Sequence, residues 1–171
     1  MAGYVIHLAV AECYIKKHPE DIKDYNQFIE GVIFPDSVTD KSITHYGEKS
    51  SKVNLKWFID EKEIDNDYNK GYFLHLVTDY IFYNKFLECF SKDIYNDYDI
   101  LNKKLQEKFK VKLPDSIKDS VFYKDGETKL LELKSVEKFI EEVSDYKLSY
   151  IKEQILKNDK FWLEIRSLRK I

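Results

Sequence analysis

The chain has 171 residues, of which 43% are hydrophobic and 15% are aromatic, so it can bury the core of one ordinary domain and is not a disordered protein. Its 28 Lys and Arg against 31 Asp and Glu give a net charge of −3, which excludes a protein that binds nucleic acid through bulk positive charge. Only 5 Gly and 3 Pro occur, too few for the frequent turns of a β-sandwich or barrel.

Apolar residues at helical spacing recur along most of the chain and predict an all-α, single-domain, multi-helix bundle over 1–171. The second helix is expected to stop at Gly31, because glycine is common just past a helix end. The predicted helices are Tyr4–Lys17, Asp21–Glu30, Val53–Glu61, Asn69–Phe90, Tyr98–Lys110, Ser135–Asp145, Lys147–Lys157 and Asp159–Arg169.

Two further features of the chain indicate the cellular compartment of the protein. No stretch of about 18 apolar residues occurs, so the sequence predicts no transmembrane segment, and Met1–Val10 lacks the leading Lys or Arg of a secretory signal. Cys13 and Cys89 form no CxxC pattern, which favours free thiols in a reducing cytoplasm, although a bridge between them stays open. We therefore expect a cytoplasmic protein.

Residues 32–50 do not have a helical pattern. Pro35 favours an extended conformation at Phe34, and Gly, Ser, Thr and Asp are frequent up to Gly47. Long ordered loops in small domains usually carry function. We interpret this segment, which contains Asp36 and His45, as a functional loop.

His75 and Asp79 lie four residues apart in the most apolar predicted helix. This spacing places both side chains on one helix face, about 5–6 Å apart between Cβ atoms, where they can bind one metal ion. A carboxylate on an apolar face is costly unless it is paired or coordinated, and imidazole with carboxylate suits zinc or a similar divalent ion. The pair alone is also explained by a buried His–Asp hydrogen bond.

Three more candidate ligands each have a simpler explanation when they are taken singly. Asp36 follows a proline, as in many turns; His45 can be a solvated loop residue; and His7 can be a core histidine of the first helix. Their common order along the chain favours a shared role.

That order resembles the bacterial zinc-dependent phospholipase C family, whose all-helical fold is shared with fungal zinc single-strand nucleases. The resemblance covers about the first 90 residues. It consists of His7 in the first helix, Gly-x-Ile-x-Pro-Asp at 31–36, Thr-His at 44–45 and Gly-Tyr-x-x-His-Leu-x-x-Asp at 71–79.

The resemblance implies one or two zinc ions, or another divalent metal, in a cleft between helices. Asp36, His45, His75 and Asp79 would hold one ion, while His7 and a bridging Asp79 would contribute to a second. Asp36 is also assigned the catalytic role. The implied substrate is a small phosphoester or a phospholipid, and no specific nucleic-acid partner is expected.

The chain also departs from that family. Met1-Ala2-Gly3 precedes the first helix, where secreted members use a free amino terminus as a ligand, and no histidine follows His75. A third metal site is therefore absent or built from carboxylates, of which Asp97 and Asp99 are the nearest candidates, although a helix N-cap region explains both more simply. Three functions stay open: a metal-dependent phosphoesterase, a non-catalytic metal-binding domain that has lost part of the cluster, and a helical interaction protein without metal whose histidines are core residues.

Overall fold

The computed structural model of the protein describes residues 2–171, and over this range the chain is all-α, as the sequence predicts. Short 3₁₀ turns at Phe34–Asp36, Ser50–Lys52, Asp115–Ser120 and Lys160–Trp162, and a π-helical turn at Phe82–Phe86, connect the helices. The α-helices are α1 (Tyr4–Lys17), α2 (Tyr25–Ile33), α3 (Lys41–Thr44), α4 (Leu55–Glu61), α5 (Asp67–Ile81), α6 (Asp93–Phe109), α7 (Leu133–Asp145) and α8 (Leu148–Leu156).

Helices α1 and α5 form the centre of the hydrophobic core. All residues from Val5 to Ala11 in α1 are buried, and so are all residues from Gly71 to Ile81 in α5. A helix that is apolar on every side must be surrounded by other elements. Polar side chains on these two helices are therefore buried together with the apolar ones.

Two glycines allow α2 and α5 to cross at very short range. A Cβ atom built on Gly31 would lie 2.0 Å from the carbonyl oxygen of Tyr68, and one built on Gly71 would lie 2.0 Å from that of Phe28. The expectation that Gly31 ends the second helix is wrong, because α2 continues to Ile33. Gly31 allows α2 to pack closely against α5 and does not end the helix.

Side-chain caps account for several helix starts. Asp24 accepts a hydrogen bond from the Gln27 backbone at the start of α2, and Asn66 accepts one from the Asn69 backbone at the start of α5. Such caps satisfy backbone N–H groups that have no partner within the helix. Helix α1 agrees with its predicted bounds.

The predicted last helix, Asp159–Arg169, is wrong beyond its first turn. After Trp162 the chain extends and forms β2 (Arg169–Lys170), which pairs in parallel with β1 (Cys89–Phe90). Arg166 Nε donates a hydrogen bond to the Tyr83 carbonyl at 3.0 Å, and its Nη2 donates to the Leu87 carbonyl. These tertiary contacts outweigh the helical pattern of the segment.

Cys13 and Cys89 are free thiols in the structure, in agreement with the preferred interpretation. None of the helices within residues 2–171 is long and apolar enough to cross a membrane.

Candidate metal centre

Four buried side chains converge between α2, α3 and α5. Asp36 ends the 3₁₀ turn after α2, His45 follows α3, and His75 and Asp79 lie one turn apart in α5. One ligand atom from each of the four residues lies within 4.8 Å of the other three. Their exposed fractions are 5% for Asp36, 1% for His75 and 0% for the other two. This group can hold a metal ion.

The spacing of these atoms fits tetrahedral coordination. Ligands at about 2.0–2.1 Å from one ion, at the tetrahedral angle, lie about 3.3 Å from one another. His45 Nε2 lies 3.2 Å from His75 Nε2, 3.3 Å from Asp36 Oδ1 and 3.2 Å from Asp79 Oδ2. His75 Nε2 lies 3.5 Å from that Asp36 oxygen and 3.2 Å from that Asp79 oxygen. Five of the six distances between ligand atoms are therefore close to those of a tetrahedral metal site.

Backbone carbonyls orient both imidazole rings. The Val32 carbonyl accepts a hydrogen bond from His75 Nδ1 at 2.7 Å, and the Lys41 carbonyl accepts one from His45 Nδ1 at 3.1 Å. Because a carbonyl only accepts, each Nδ1 carries the proton, and the neutral ring keeps the Nε2 lone pair for a metal. Two such lone pairs 3.2 Å apart repel unless a proton or a metal cation lies between them.

The two carboxylates lack the hydrogen bonds that buried charges need. Both oxygens of Asp36 and Oδ2 of Asp79 are buried without a hydrogen-bond partner. Leaving a carboxylate in this state is strongly unfavourable. A cation bound by these oxygens removes the penalty, so the donor set fits a divalent metal.

His7 lies on the other side of the same two carboxylates. Its Nε2 is 3.1 Å from Asp79 Oδ1 and 3.9 Å from Asp36 Oδ2, the oxygens that face away from His45 and His75. The ring stacks on His75 with centroids 3.6 Å apart, and neither ring nitrogen makes a hydrogen bond. The Ala2 backbone N–H donates to Asp79 Oδ1 at 3.1 Å. His7 is thus close to the four-residue group but is not one of its members.

Opposing electrostatic effects act on the cluster in the absence of a metal. Burial alone lowers the pKa of His75, but Asp36 and Asp79 raise it to about 9. Burial and the charge of His75 lower the pKa of His7. The histidine charges hold the pKa of both carboxyl groups well below the usual range, although burial opposes them. The metal-free cluster is therefore an ion-pair network with protons in place of a metal.

Neighbouring side chains hold the loop that carries Asp36 and His45. The Thr44 hydroxyl donates to the Pro35 carbonyl at 2.8 Å, and the Tyr72 hydroxyl donates to the Thr44 carbonyl at 2.6 Å. Lys41 Nζ and the Tyr4 hydroxyl donate to the Asp36 carbonyl at 2.5 Å and 3.0 Å. Thr44 and Tyr72 belong to the motifs that the sequence analysis identifies, whereas no sequence signal marks Lys41 or Tyr4 as support for this loop.

Asp36 also lines a cavity beside the cluster. This cavity, of about 380 Å³, is lined by Asp36 together with Tyr4, Lys41, Tyr95 and Tyr98. No other residue of the four-residue group lines it. Both carboxylate oxygens of Asp36 are buried, so the cavity adjoins the backbone of Asp36 and not its carboxylate.

Asp97 and Asp99 do not join the group. The Asp97 carboxylate accepts hydrogen bonds from the backbone N–H groups of Lys129, Leu130 and Leu131 at 2.7–2.9 Å. Asp99 lies 3.6 Å from Lys124 Nζ. Asp97 therefore organises the loop before α7, and its oxygens are already used.

Comparison with known proteins adds no family assignment, because no family model, no curated protein and no solved structure matches this chain.

Proposed function

We propose that the protein is a metal-dependent phosphoesterase, similar to zinc-dependent phospholipase C, that hydrolyses a phosphoester through metal-activated water. The observation that carries the proposal is the near-tetrahedral group of Asp36, His45, His75 and Asp79, in which buried carboxylate oxygens have no hydrogen-bond partner. A divalent ion bound there supplies Lewis-acid activation of water and of phosphoryl oxygens at neutral pH.

His7 supports the assignment of a second ion. Each carboxylate directs one oxygen toward His45 and His75 and the other toward His7. Carboxylates that bridge two ions are typical of centres that stabilise both the attacking and the leaving oxygen of a phosphoryl displacement. His7 would then be the nitrogen ligand of the second ion.

Asp36 has two roles in this proposal. Its carboxylate would hold the metal, and it would accept a hydrogen bond from the attacking water, since neither of its buried oxygens has another hydrogen-bond partner. Lys41 fixes the backbone around Asp36 by donating to the carbonyls of Asp36 and Val38. The loop after α2 therefore orients the group that meets the substrate.

The test combines metal analysis with an assay on bis-p-nitrophenyl phosphate, with zinc, manganese and magnesium supplied in turn. We expect near-stoichiometric zinc and slow hydrolysis, with a rate that rises with pH through neutrality. His45→Ala should lose both metal and activity. His18→Ala is the matched control, because His18 lies outside the cluster and its Nε2 is 2.9 Å from the Ser144 carbonyl. Hydrolysis that survives His45→Ala contradicts the proposal.

A non-catalytic metal-binding domain is the second candidate. The observation that favours it is the occupied carboxylate of Asp97, which leaves that residue unable to rebuild a further metal site. One firmly bound ion per chain, with no turnover of phosphodiesters, phosphomonoesters or phospholipids, would select this candidate.

A further inference from the structure

A cavity of about 480 Å³, which Lys41 helps to line, has a strongly positive lining. Five of its lining residues are basic and none is acidic, although acidic residues outnumber basic ones by 31 to 28 in the whole chain. A cavity of this size holds a small molecule, and walls of one charge sign concentrate ions of the opposite sign. The basic residues are Lys41, Lys49, Lys52, Arg166 and Lys170.

Separate parts of the fold bring these charges together. Lys49 precedes the 3₁₀ turn Ser50–Lys52, Lys52 ends it, and Lys170 lies in β2. Arg166 is fixed by its bonds to the carbonyls after α5. The fold itself therefore gathers the positive charges.

Little negative charge compensates them. Lys52 lies 3.5 Å from one carboxylate, that of Glu48, and Lys41 bonds only to uncharged carbonyls. The side chains of Lys49 and Lys170 have no ion-pair or hydrogen-bond partner among residues 2–171. An anion is the counter-charge that this cavity lacks.

The basic cavity neighbours the cavity beside Asp36. Lys41 and Tyr95 line both of them, and Asp36 lines the smaller one. A molecule that occupied both cavities would extend from the lysines to the loop that carries Asp36.

We infer that the substrate carries a second phosphate group, apart from the ester that is cleaved, and that this group binds in the basic cavity. The inference rests on the proposed function for the cleaved bond, whereas anion binding in the cavity does not depend on turnover. A substrate with a single phosphodiester charge at the metal centre would leave the lysines without a partner.

The first experiment measures binding of a naphthalenedisulfonate to the full-length, metal-loaded protein by isothermal titration calorimetry. Its sulfonates have the shape and charge of phosphate groups, but they are not hydrolysed and do not strip zinc. Lys49→Gln and Lys170→Gln should each weaken binding by about threefold to fivefold, the range for one partly exposed charge. Lys104→Gln, on the exposed face of α6, is the control. Equal affinity in all four proteins overturns the inference.

The second experiment compares hydrolysis of p-nitrophenyl thymidylate with and without a phosphate on the other sugar hydroxyl. We expect a higher kcat/KM for the bisphosphate, and we expect Lys49→Gln and Lys170→Gln to remove that advantage without changing the monophosphate. An equal kcat/KM for both substrates contradicts the inference. If neither is hydrolysed, the proposed function fails, and the disulfonate titration still decides whether the cavity binds anions.

The phosphate could also belong to a lipid. Flotation with vesicles of phosphatidylcholine, with and without phosphatidylglycerol, separates the two sources. We expect no binding to either vesicle. Binding to the anionic vesicle without binding of the disulfonate overturns the assignment of a small soluble ligand.

Discussion

The carbonyl oxygen of Val32 lies 2.7 Å from Nδ1 of His75, so α2 orients a ring that α5 carries. This hydrogen bond is possible because Gly31 and Gly71 let the two helices cross without any Cβ between them. The glycines that shape the core are thus one residue before Val32 and one helical turn before His75. The contact between α2 and α5 therefore both packs the core and orients a ligand of the candidate metal centre.

Gly71→Ala is expected to destabilise the protein by about 2–3 kcal/mol, although alanine is the better helix former by up to about 1 kcal/mol. The added methyl group would lie 2.0 Å from the Phe28 carbonyl oxygen and force α2 away from α5. Urea unfolding measures the stability, and metal analysis should show a reduced zinc content. Ser149→Ala, at an exposed position of α8, is the control; a Gly71→Ala protein as stable as wild type would contradict the close crossing.

His75→Ala and Asp79→Asn should each abolish binding of the principal metal. Each variant removes one vertex of a near-tetrahedral group whose other edges are 3.2–3.5 Å. Glu141→Ala removes only a partly exposed partner of Lys17, 3.0 Å away, and should keep the full metal content. Metal analysis of the three proteins gives the answer, and a full zinc complement in both ligand variants would reject the assignment.

Removal of the metal should destabilise the protein. Without a cation, the carboxylates of Asp36 and Asp79 share one buried site in which only histidine protons offset their charge. At a hundredfold excess of free metal over its dissociation constant, binding adds about 2.7 kcal/mol. Thermal melts before and after a strong chelator test this, and an unchanged Tm in protein confirmed to be metal-free counts against it.

The metal-free protein should lose stability as the pH rises from about 6.5 to about 9. The pKa of His75 is raised to about 9 by the two carboxylates, so its proton stabilises the fold below the ordinary pKa and is lost through that range. The loss is up to about 3 kcal/mol. The carboxyl groups have lowered pKa values, so their contribution is present above about pH 4 and is lost on acidification.

Urea titrations of the metal-free and zinc-loaded proteins across this pH range test the expectation. The metal-loaded protein should not show the decline, because a bound cation replaces the proton of His75. If stability depends on pH in the same way in the metal-free and zinc-loaded proteins, His75 does not titrate at the metal site.

Asp97→Asn should reduce stability by about 2–4 kcal/mol and leave the metal content unchanged. The carboxylate accepts three backbone N–H bonds, and an amide NH₂ would face donors in place of an acceptor. Asp99→Asn is the matched control, since its carboxylate has only a 3.6 Å contact with Lys124. Loss of zinc in a folded Asp97→Asn protein would show that Asp97 contributes to the metal site.

Much of the candidate site follows from local sequence signals. His75 and Asp79 share a helix face because of their spacing, and the loop after α2 contains both Asp36 and His45. The spacing does not reveal that both histidines donate Nδ1–H to carbonyls, since that depends on how α2 and α3 pack against α5. That all five predicted ligands bind metal stays a prediction.

Long-range contacts explain where the sequence predictions fail. Gly31 has the appearance of a helix stop, but its neighbour across the helix crossing is the backbone of Tyr68. The segment after Trp162 has helical spacing, yet its hydrogen bonds go to residues about 80 positions earlier. The predicted loop at 32–50 contains α3 and the 3₁₀ turn Phe34–Asp36, so the expectation of an extended Phe34 is wrong: its φ and ψ are −56° and −45°.

The residues that complete the packing around α5 come late in the chain. All five candidate ligands belong to the first 79 residues, but the helix that carries two of them is held at its far end by residues 161–170. The Tyr80 hydroxyl contacts the carbonyls of Phe161 and Glu164 at 2.7 Å, and Asn84 accepts a bond from the Arg166 backbone. During synthesis, α5 therefore lacks these last partners until about 80 further residues have been added.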